Sequence, residues 1–260
     1  MVEEAALSKS PDESSSFSVP STLSFKFDSA RPSFSMLSQA ASAFGVYLIG
    51  GSYPERDALG KLYNTCCVFD PHGKRIATHR KMHLFDVDVP GKITFRESDA
   101  LSAGNAVTVF DYDSSQTHAA EDSTRRPIQT KVGVGICYDL RFPELSLLMT
   151  GGYGAQILVF PSAFNMTTGP VHWHLLQRGR ALDNQVYVAT CSPARDTSAG
   201  YVAFGHSLVA DPWGTIIAEL EENPDTLYAE LDLDYLKSVR DSIPVWKQRR
   251  NDVYAIVSRN

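Results

Sequence analysis

The sequence predicts an α/β (α+β) fold, a layered sandwich in which strands outnumber helices. Ten short segments rich in β-branched and aromatic residues have the composition and length of strands, and four segments have helical periodicity. Because few helices stand between consecutive strands, a layered sandwich is favoured over a simple doubly wound sheet. The 260 residues, 43% of them hydrophobic, are enough for one large core.

The first predicted elements follow a serine-rich segment, residues 1–33, which has poor periodicity and which we expect to be a poorly ordered lead-in. A helix is predicted over 34–43, ending near Gly45. The predicted strands are Val46–Ile49, Leu62–Phe69, Arg75–His79, Val107–Asp111, Val132–Ile136, Ile157–Phe160, Val186–Thr190, Ser207–Ala210, Thr215–Leu220 and Leu227–Leu231.

Three more helices are predicted in the second half of the chain, at Glu144–Thr150, His172–Asp183 and Asp234–Ser242. The polar stretch near 113–127 has no periodicity and is interpreted as a surface insertion between two strands. We therefore expect residues 34–260 to form a single domain.

Composition excludes several classes of function. The net charge of −6 argues against a nucleic-acid-binding protein, and no apolar run is long enough to span a membrane. The acidic N-terminus lacks the pattern of a signal peptide or a transit peptide. A cytoplasmic location is predicted, with a mitochondrial location as the alternative.

The cysteines and histidines do not indicate a metal site. The spacings of Cys66, Cys67, Cys137 and Cys191 fit no zinc pattern, and free thiols are expected in a reducing compartment. The paired histidines of the segment His172–His174 are two residues apart, which does not place both on one helix face.

The segment Gly133–Glu144 is the most informative for function. A buried strand is predicted to end at Cys137, and a helix is predicted to follow. Such a turn presents a nucleophile at the edge of a sheet, where backbone N–H groups and a helix N-terminus favour its thiolate. The alternative interpretation is a buried, inert cysteine.

A second segment, Thr78–Asp86, carries Lys81 at the end of a predicted strand. A basic run is commonly a solvated surface. The alternative is a lysine that stabilises the oxyanion formed when a cysteine attacks an amide.

Together these two segments resemble the nitrilase superfamily of carbon–nitrogen hydrolases, whose catalytic residues are glutamate, lysine and cysteine. The sequence HRKMHLFD surrounds Lys81 and GICYDLRFPE surrounds Cys137. Further segments resemble the omega-amidase branch, which deamidates α-ketoglutaramate and α-ketosuccinamate: Asp86–Ser98, Ser162–Trp173, Arg180–Val188 and Ser192–Arg195. The resemblance runs from about residue 34 to the C-terminus.

The resemblance implies a nitrilase-type α-β-β-α four-layer sandwich and a set of catalytic roles. Cys137 would form a thioester with the substrate, while Lys81 and the backbone N–H of Tyr138 would hold the oxyanion. Glu97 matches the second glutamate of the family, which supports the lysine; considered alone, it would be a surface carboxylate in a polar turn. A lysine near Cys137 is expected to lower the thiol pKa.

The resemblance also implies a substrate pocket, whose expected lining residues are Phe164, Asn165 and Thr168. The alternative for Asn165 and Thr168 is turn formation before the Gly169–Pro170 dipeptide.

The first glutamate of the family, a general base, lies in an opening strand–helix–strand unit that is not recognisable in this sequence. The expected fold is therefore an N-terminally incomplete sandwich, and Glu13 is the candidate base at about the right distance. Two alternatives follow: another amidase or carbamoylase of the superfamily, or a non-catalytic member that acts by binding or by mixing into oligomers.

The resemblance implies a small-molecule amide substrate and a homodimer. The interface is expected to involve the helix Leu233–Ile243 and a C-terminal tail with Trp246 and Tyr254, although that tail could instead pack on its own domain. No metal, nucleotide or organic cofactor is expected, since thioester chemistry needs none.

Overall fold

The computed structural model describes residues 31–117 and 126–259. The first predicted helix is confirmed. It is a little longer than predicted and ends at Gly45, which adopts the left-handed conformation of a helix C-cap (φ 60°). The α-helices of the described residues are α1 (Pro32–Phe44), α2 (Pro143–Leu147), α3 (Gly169–Asn184), α4 (Leu233–Ser242) and α5 (Val245–Gln248).

Eleven strands lie within the described residues. Nine of the ten predicted strands are found. Their ends are displaced by up to seven residues, the largest displacement being at the end of β1, and the bounds of β2 match the prediction. They are β1 (Leu48–Arg56), β2 (Leu62–Phe69), β3 (Arg75–Arg80), β4 (Asp86–Val89), β5 (Ile93–Arg96), β6 (Thr108–Asp113), β7 (Gln129–Val134), β8 (Ile157–Pro161), β9 (Tyr187–Cys191), β10 (Leu208–Ala210) and β11 (Ile216–Glu219).

These strands form two main sheets and a separate hairpin. One sheet is antiparallel with the order β1-β2-β3, and the other has the order β11-β10-β9-β8-β7-β6. In the larger sheet β7, β8 and β9 are parallel neighbours, while the outer strands are antiparallel. The carboxyl ends of β7, β8 and β9 therefore meet at one edge, where side chains from distant parts of the chain can converge.

The sheets stack as the two inner layers of an α-β-β-α sandwich. Alternation along β2 turns Cys66 towards the larger sheet, where it packs with Val134, and turns Cys67 towards α1, where it packs with Leu37. On the outer face of the larger sheet, Phe160 packs with Trp173 of α3. The predicted four-layer architecture is thus present.

One strand prediction was wrong, and one hairpin was not predicted. Residues 227–231 form no strand; this segment leads to Asp232, whose backbone N–H and carbonyl both bond to the Tyr187 hydroxyl. The hairpin of β4 and β5 was not predicted, although Asp86–Val89 alternates in polarity and Gly91 provides the left-handed turn residue (φ 72°). Both strands are largely exposed, so burial did not reveal them.

Several sequence predictions fall wholly or partly outside the described residues. They are the lead-in over 1–33, of which only 31–33 are described, Glu13, and part of the insertion near 113–127, of which 118–125 are not described. The flanking strands β6 and β7 are antiparallel neighbours that pair up to Asp113 and Gln129. No helix among the described residues is long and apolar enough to cross a bilayer.

The C-terminal tail packs partly on its own domain. The Trp246 indole N–H donates to the carbonyl of Asn184 at 2.9 Å, and the Arg249 guanidinium lies 3.7 Å from the centre of the Trp246 ring. Tyr254 is exposed. Trp246 therefore belongs to the packing of one chain, as the alternative interpretation of the tail expected.

Candidate active site

Cys137 occupies a strained turn at the edge of the larger sheet. It is separated from the end of β7 by two residues and begins a 3-10 turn over Cys137–Arg141. It has a positive φ of 48°, which is uncommon for a residue with a side chain. Its thiol donates to the carbonyl of Ala163 at 3.7 Å. The predicted strand-to-helix turn is confirmed, and its strain is typical of a nucleophile elbow.

Glycine at position 135 lets this turn approach the next strand closely. The Gly135 N–H donates to Val159 of β8, and a Cβ at position 135 would lie 2.4 Å from a ring carbon of Phe160. Phe160 is fully buried, so a Cβ at position 135 would require the packed core around this ring to shift. The backbone that leads to Cys137 is thus fixed against the sheet.

Lys81 and Glu97 form a buried ion pair. Lys81 directly follows β3 and is 3% exposed, and its Nζ donates to Glu97 Oε2 at 2.5 Å. The same oxygen accepts the backbone N–H of Phe85 at 2.6 Å. The hairpin of β4 and β5 supplies Glu97 to this pair, since β5 ends at the residue before it. Glu97 is therefore not the surface carboxylate that its polar sequence context suggested.

The net effect of the site is to raise the pKa of the Cys137 thiol. Burial is the largest cause; the charge of Lys81 and the bond to Ala163 lower the pKa, whereas the charges of Glu97 and Asp139 raise it. As expected, the charge of Lys81 lowers the thiol pKa, but desolvation of the thiolate outweighs this attraction, so the net shift is upward. A nucleophile in this state needs a base to remove its proton.

Asp139, which sequence reasoning missed, holds the turn in place. Its fully buried carboxylate accepts bonds from His79 Nε2 at 2.9 Å, from the backbone N–H and the Nδ1 of His83 at 2.9 and 2.7 Å, and from the Ile136 N–H at 3.0 Å. Burial alone would raise the pKa of Asp139, but the bonds from His79 and His83 outweigh it and lower the pKa to about 2. These histidines therefore bind the carboxylate that braces the turn.

A sequence signal for this cluster exists. His79, Lys81 and His83 occur at every second position, the period at which extended backbone turns side chains to one face. Three titratable groups with that spacing, of which His79 and Lys81 are buried, indicate a polar site inside the sandwich.

Arg141 also belongs to the site and was not identified from the sequence. Its guanidinium carbon lies 4.7 Å from the ring centre of Phe164 and 5.6 Å from that of Tyr138, and Nη1 is 3.2 Å from His172 Nδ1. Among the described residues, no carboxylate forms an ion pair with it. Burial lowers the Arg141 pKa, while the charge of Cys137 acts in the opposite direction. The site thus contains a poorly solvated cation near Cys137.

The predicted pocket residues fall into two groups. Phe164 is buried, stacks edge-on against Trp173 and lies under Arg141, and Tyr138 packs against Phe85 and Phe142.

Asn165 and Thr168 instead form the turn that begins α3. Asn165 Oδ1 accepts the Thr168 N–H at 3.0 Å and the Thr168 hydroxyl at 3.2 Å, as the turn interpretation expected. The buried Asn165 Nδ2 has no hydrogen-bond partner among the described residues. An unpartnered buried donor is available to a ligand.

The arrangement has the elements of acyl transfer. A cysteine at a strained turn interacts electrostatically with a buried lysine and with a second cation, Arg141, and Glu13 lies outside the described residues. Within the described residues, the group of side chains that could ligate a metal, His174, His206 and Glu219, includes none of these site residues.

The chain is similar to known hydrolases. The family model described as carbon–nitrogen hydrolase matches residues 7–241, a span that includes Glu13. The chain is 55% identical over 223 residues to omega-amidase NIT2 of Danio rerio, covering 86% of this chain and 74% of that protein. It is 52% identical over 220 residues to omega-amidase NIT2 of Homo sapiens, covering 85% and 74%.

Solved structures show the same fold. Saccharomyces cerevisiae Nit3, a member of branch 10 of the nitrilase superfamily, is 46% identical and superposes with a TM-score of 0.71, covering 84% of this chain and 71% of that one. The Caenorhabditis elegans NitFhit protein is 35% identical with a TM-score of 0.73, covering 86% of this chain and 51% of that one.

Proposed function

Since this chain belongs to the carbon–nitrogen hydrolase family, we propose that it is an omega-amidase that hydrolyses the side amide of α-ketoglutaramate and α-ketosuccinamate. The observation that carries the proposal is the buried Lys81, held by Glu97 at 2.5 Å, whose charge acts on the Cys137 sulfur. A water-excluded cation strongly stabilises an oxyanion that develops beside it. The omega-amidases of Danio rerio and Homo sapiens, to which the chain is similar, support the substrate class.

In the first half of the reaction, the Cys137 thiolate adds to the amide carbon, and the carbonyl oxygen becomes an oxyanion. Lys81 Nζ and the Tyr138 N–H donate to that oxygen. The carbonyl then re-forms as the C–N bond breaks, and ammonia leaves with the proton that the base removed from the thiol. The product on the enzyme is a thioester.

In the second half, water gives a proton to the base and adds to the thioester carbon. The C–S bond breaks, so the dicarboxylate is released and the thiol is restored. We propose Glu13, the candidate from the sequence, as this base. Because burial raises the thiol pKa, this acceptor is needed to form the thiolate in the first half, and in the second half it accepts the proton of the attacking water.

Arg141 explains why the substrate would carry a carboxylate. Its guanidinium is partly desolvated, stacks on Phe164, and forms no ion pair with an acid of the described residues. A charge-assisted hydrogen bond to the α-keto acid carboxylate would compensate for that desolvation. The free donor of Asn165 is a second group for the polar end of the substrate.

The experiment measures ammonia release from α-ketoglutaramate by the full 260-residue chain. Cys137→Ala is expected to abolish the release and Glu13→Gln to lower it strongly. Inactivity of the folded parent chain would contradict the proposal and favour a non-catalytic member. If Glu13→Gln is as active as its parent, the base is another group.

A substrate panel tests the branch and the role of Arg141. Arg141→Gln is expected to raise KM for α-ketoglutaramate about 10–100-fold, because one charged hydrogen bond contributes about 1.5–3 kcal/mol. The rate with pentanamide, a neutral amide of the same length, should change little, and Arg75→Gln at an exposed position is the control. Better turnover of a carbamoyl amino acid or a nitrile would assign another branch.

We also propose that two copies associate through the exposed side of α3. Val171, Leu175 and Leu182 lie on one face of this helix and are 54–68% exposed, and Trp213, 50% exposed, lies next to Leu182. A cavity of about 250 Å³ lined by Leu182, Trp213 and Ile243 joins this face to the C-terminal region that the sequence predicted as interface. A self-complementary apolar face of this kind suits a symmetric homodimer.

A further inference from the structure

A second group of reactive side chains lies on α3 and the far strands of the larger sheet. His174 belongs to α3, His206 precedes β10, and Glu219 ends β11. One ligand atom from each of them lies within 4.8 Å of the others. We propose that these three side chains bind a divalent cation of the zinc type.

The distances between the donor atoms fit such a site. His174 Nε2 is 2.6 Å and His206 Nδ1 is 3.3 Å from Glu219 Oε1. In a tetrahedral site with bonds of about 2.0–2.1 Å, neighbouring donors are about 3.3 Å apart. A cation would replace the protons between the histidines and the carboxylate, and the side chains would move by only about an ångström. Two imidazoles and one carboxylate leave the fourth position for water.

The surroundings orient the ligands. The His206 ring stacks on Phe204 with centres 4.3 Å apart, and the His174 ring meets the edge of Phe204 at 6.2 Å. The other ring nitrogen of His206, Nε2, faces Glu222 Oε2 at 4.0 Å. Histidines that ligate metals commonly donate their second N–H to a carboxylate, which fixes the tautomer.

Charge favours a cation here. Glu219 and Glu222 both lie at the cluster, and Arg195 is 3.8 Å from Oε1 of Glu222, the carboxylate oxygen other than the one that faces His206 Nε2. The side chains of the three ligands are each 21–35% exposed, so an ion can enter from solvent.

The backbone of His206 is held in place. This residue has a φ of 61°, and its carbonyl accepts the Trp173 indole N–H at 2.6 Å.

The sequence did not predict this site. The spacing of His172 and His174 correctly separates the two side chains, since His172 contacts Arg141 whereas His174 contacts Glu219. The ligands come from positions 174, 206 and 219, which no local spacing connects. Only the packing of α3 against the sheet brings them together.

The experiment titrates ZnCl₂ into the full chain carrying Cys137→Ala, so that the proposed nucleophile cannot bind the metal. Binding is measured by isothermal titration calorimetry, and cobalt(II) absorption reports the ligand geometry. One zinc per chain is expected. In the same background, His174→Ala and Glu219→Gln should each weaken binding by at least tenfold, and Glu222→Gln by about tenfold. His72→Ala, at an exposed histidine of the β2–β3 turn, should have no effect.

Thermal unfolding adds a readout that needs no activity. Zinc should raise the Tm of the Cys137→Ala chain, and this increase should disappear in His174→Ala. Absence of zinc binding to the Cys137→Ala chain would overturn the proposal and leave the cluster as an ion pair. The same holds if His174→Ala and Glu219→Gln bind zinc as tightly as the Cys137→Ala chain does. Because catalysis is not measured, failure of this site is distinct from failure of the proposed amidase function.

Discussion

At the scale of single residues, the reactivity of Cys137 depends on charges that oppose one another. Lys81 stabilises the thiolate, whereas burial and the carboxylate of Glu97 disfavour it. Lys81 and Glu97 are themselves an ion pair, so each sets how strongly the other acts. Changing one partner at a time separates their effects.

Alkylation of Cys137 by iodoacetamide, followed by peptide mass spectrometry as a function of pH, measures this balance. The parent midpoint is expected above the ordinary thiol value of about 8.5. Lys81→Met should move it higher, because an attractive charge is lost, and Glu97→Gln should move it lower. A purely structural role would predict shifts in the same direction for both variants.

Asp139 makes stability depend on acid. Because its folded pKa is lowered from 3.8 to about 2, its ionised form stabilises the fold above about pH 4, and this contribution is lost as the pH falls towards 2. The shift corresponds to about 2–3 kcal/mol. Urea unfolding should therefore show Asp139→Asn less stable by about this amount at pH 7, with a smaller difference at pH 3.

The control for this prediction is Asp252→Asn. Asp252 pairs with Arg250 on the surface, where an ion pair contributes little to the free energy of unfolding. A deficit of Asp139→Asn that stays constant from pH 7 to pH 3 would show that the carboxylate acts by shape and not by charge.

At the scale of elements, the site depends on how closely β7 approaches β8. The strand end carries Cys137 two residues beyond Gly135, and the absence of a side chain at Gly135 allows the approach to Phe160. The hairpin of β4 and β5 positions Glu97, the residue that follows β5, next to Lys81. Small changes at either element should therefore affect the site before they affect the fold.

Gly135→Ala tests this dependence. The new methyl group would lie 2.4 Å from the Phe160 ring, so we expect a loss of about 1–3 kcal/mol of stability and most of the activity. Gly179→Ala in α3 is the matched control, since its Cβ would meet nothing within 4 Å. It should increase stability by about 0.5–1 kcal/mol. Chemical denaturation measures both, and equal stability of the two variants would contradict the argument.

At the scale of the whole molecule, the sandwich buries three apolar clusters between its layers, and one side of α3 stays apolar and exposed. Helix α3 thus buries Trp173 in the core and leaves Leu175 exposed to solvent. Association of two chains would remove that exposed surface from water.

Sedimentation velocity tests the association. Leu175→Glu is expected to convert dimers to monomers, because a charge would be buried in the interface. Leu59→Glu is the control; Leu59 is 84% exposed in the turn between β1 and β2, two strands of the smaller sheet. A parent chain that sediments as a monomer, or a Leu175→Glu chain that remains dimeric, would exclude this interface.

The cytoplasmic location of the protein stays a prediction from the sequence.

The sequence by itself determined the class of the fold, nine of the eleven described strands and the two segments around Lys81 and Cys137. These features are local: apolar runs bounded by turn residues predict strands, and a strand followed by a helix predicts the elbow. It did not predict the exposed hairpin of β4 and β5, because neither strand carries a buried face.

The tertiary structure alone decided how the side chains meet and how strongly each charge acts. Contacts of Lys81 with Glu97, of His79 with Asp139 and of Arg141 with Phe164 join positions 16 to 60 residues apart. The number of residues between two such positions does not determine how far apart they lie in the folded protein. The direction of the Cys137 pKa shift likewise followed from the amount of protein around the sulfur, because desolvation depends on packing in three dimensions.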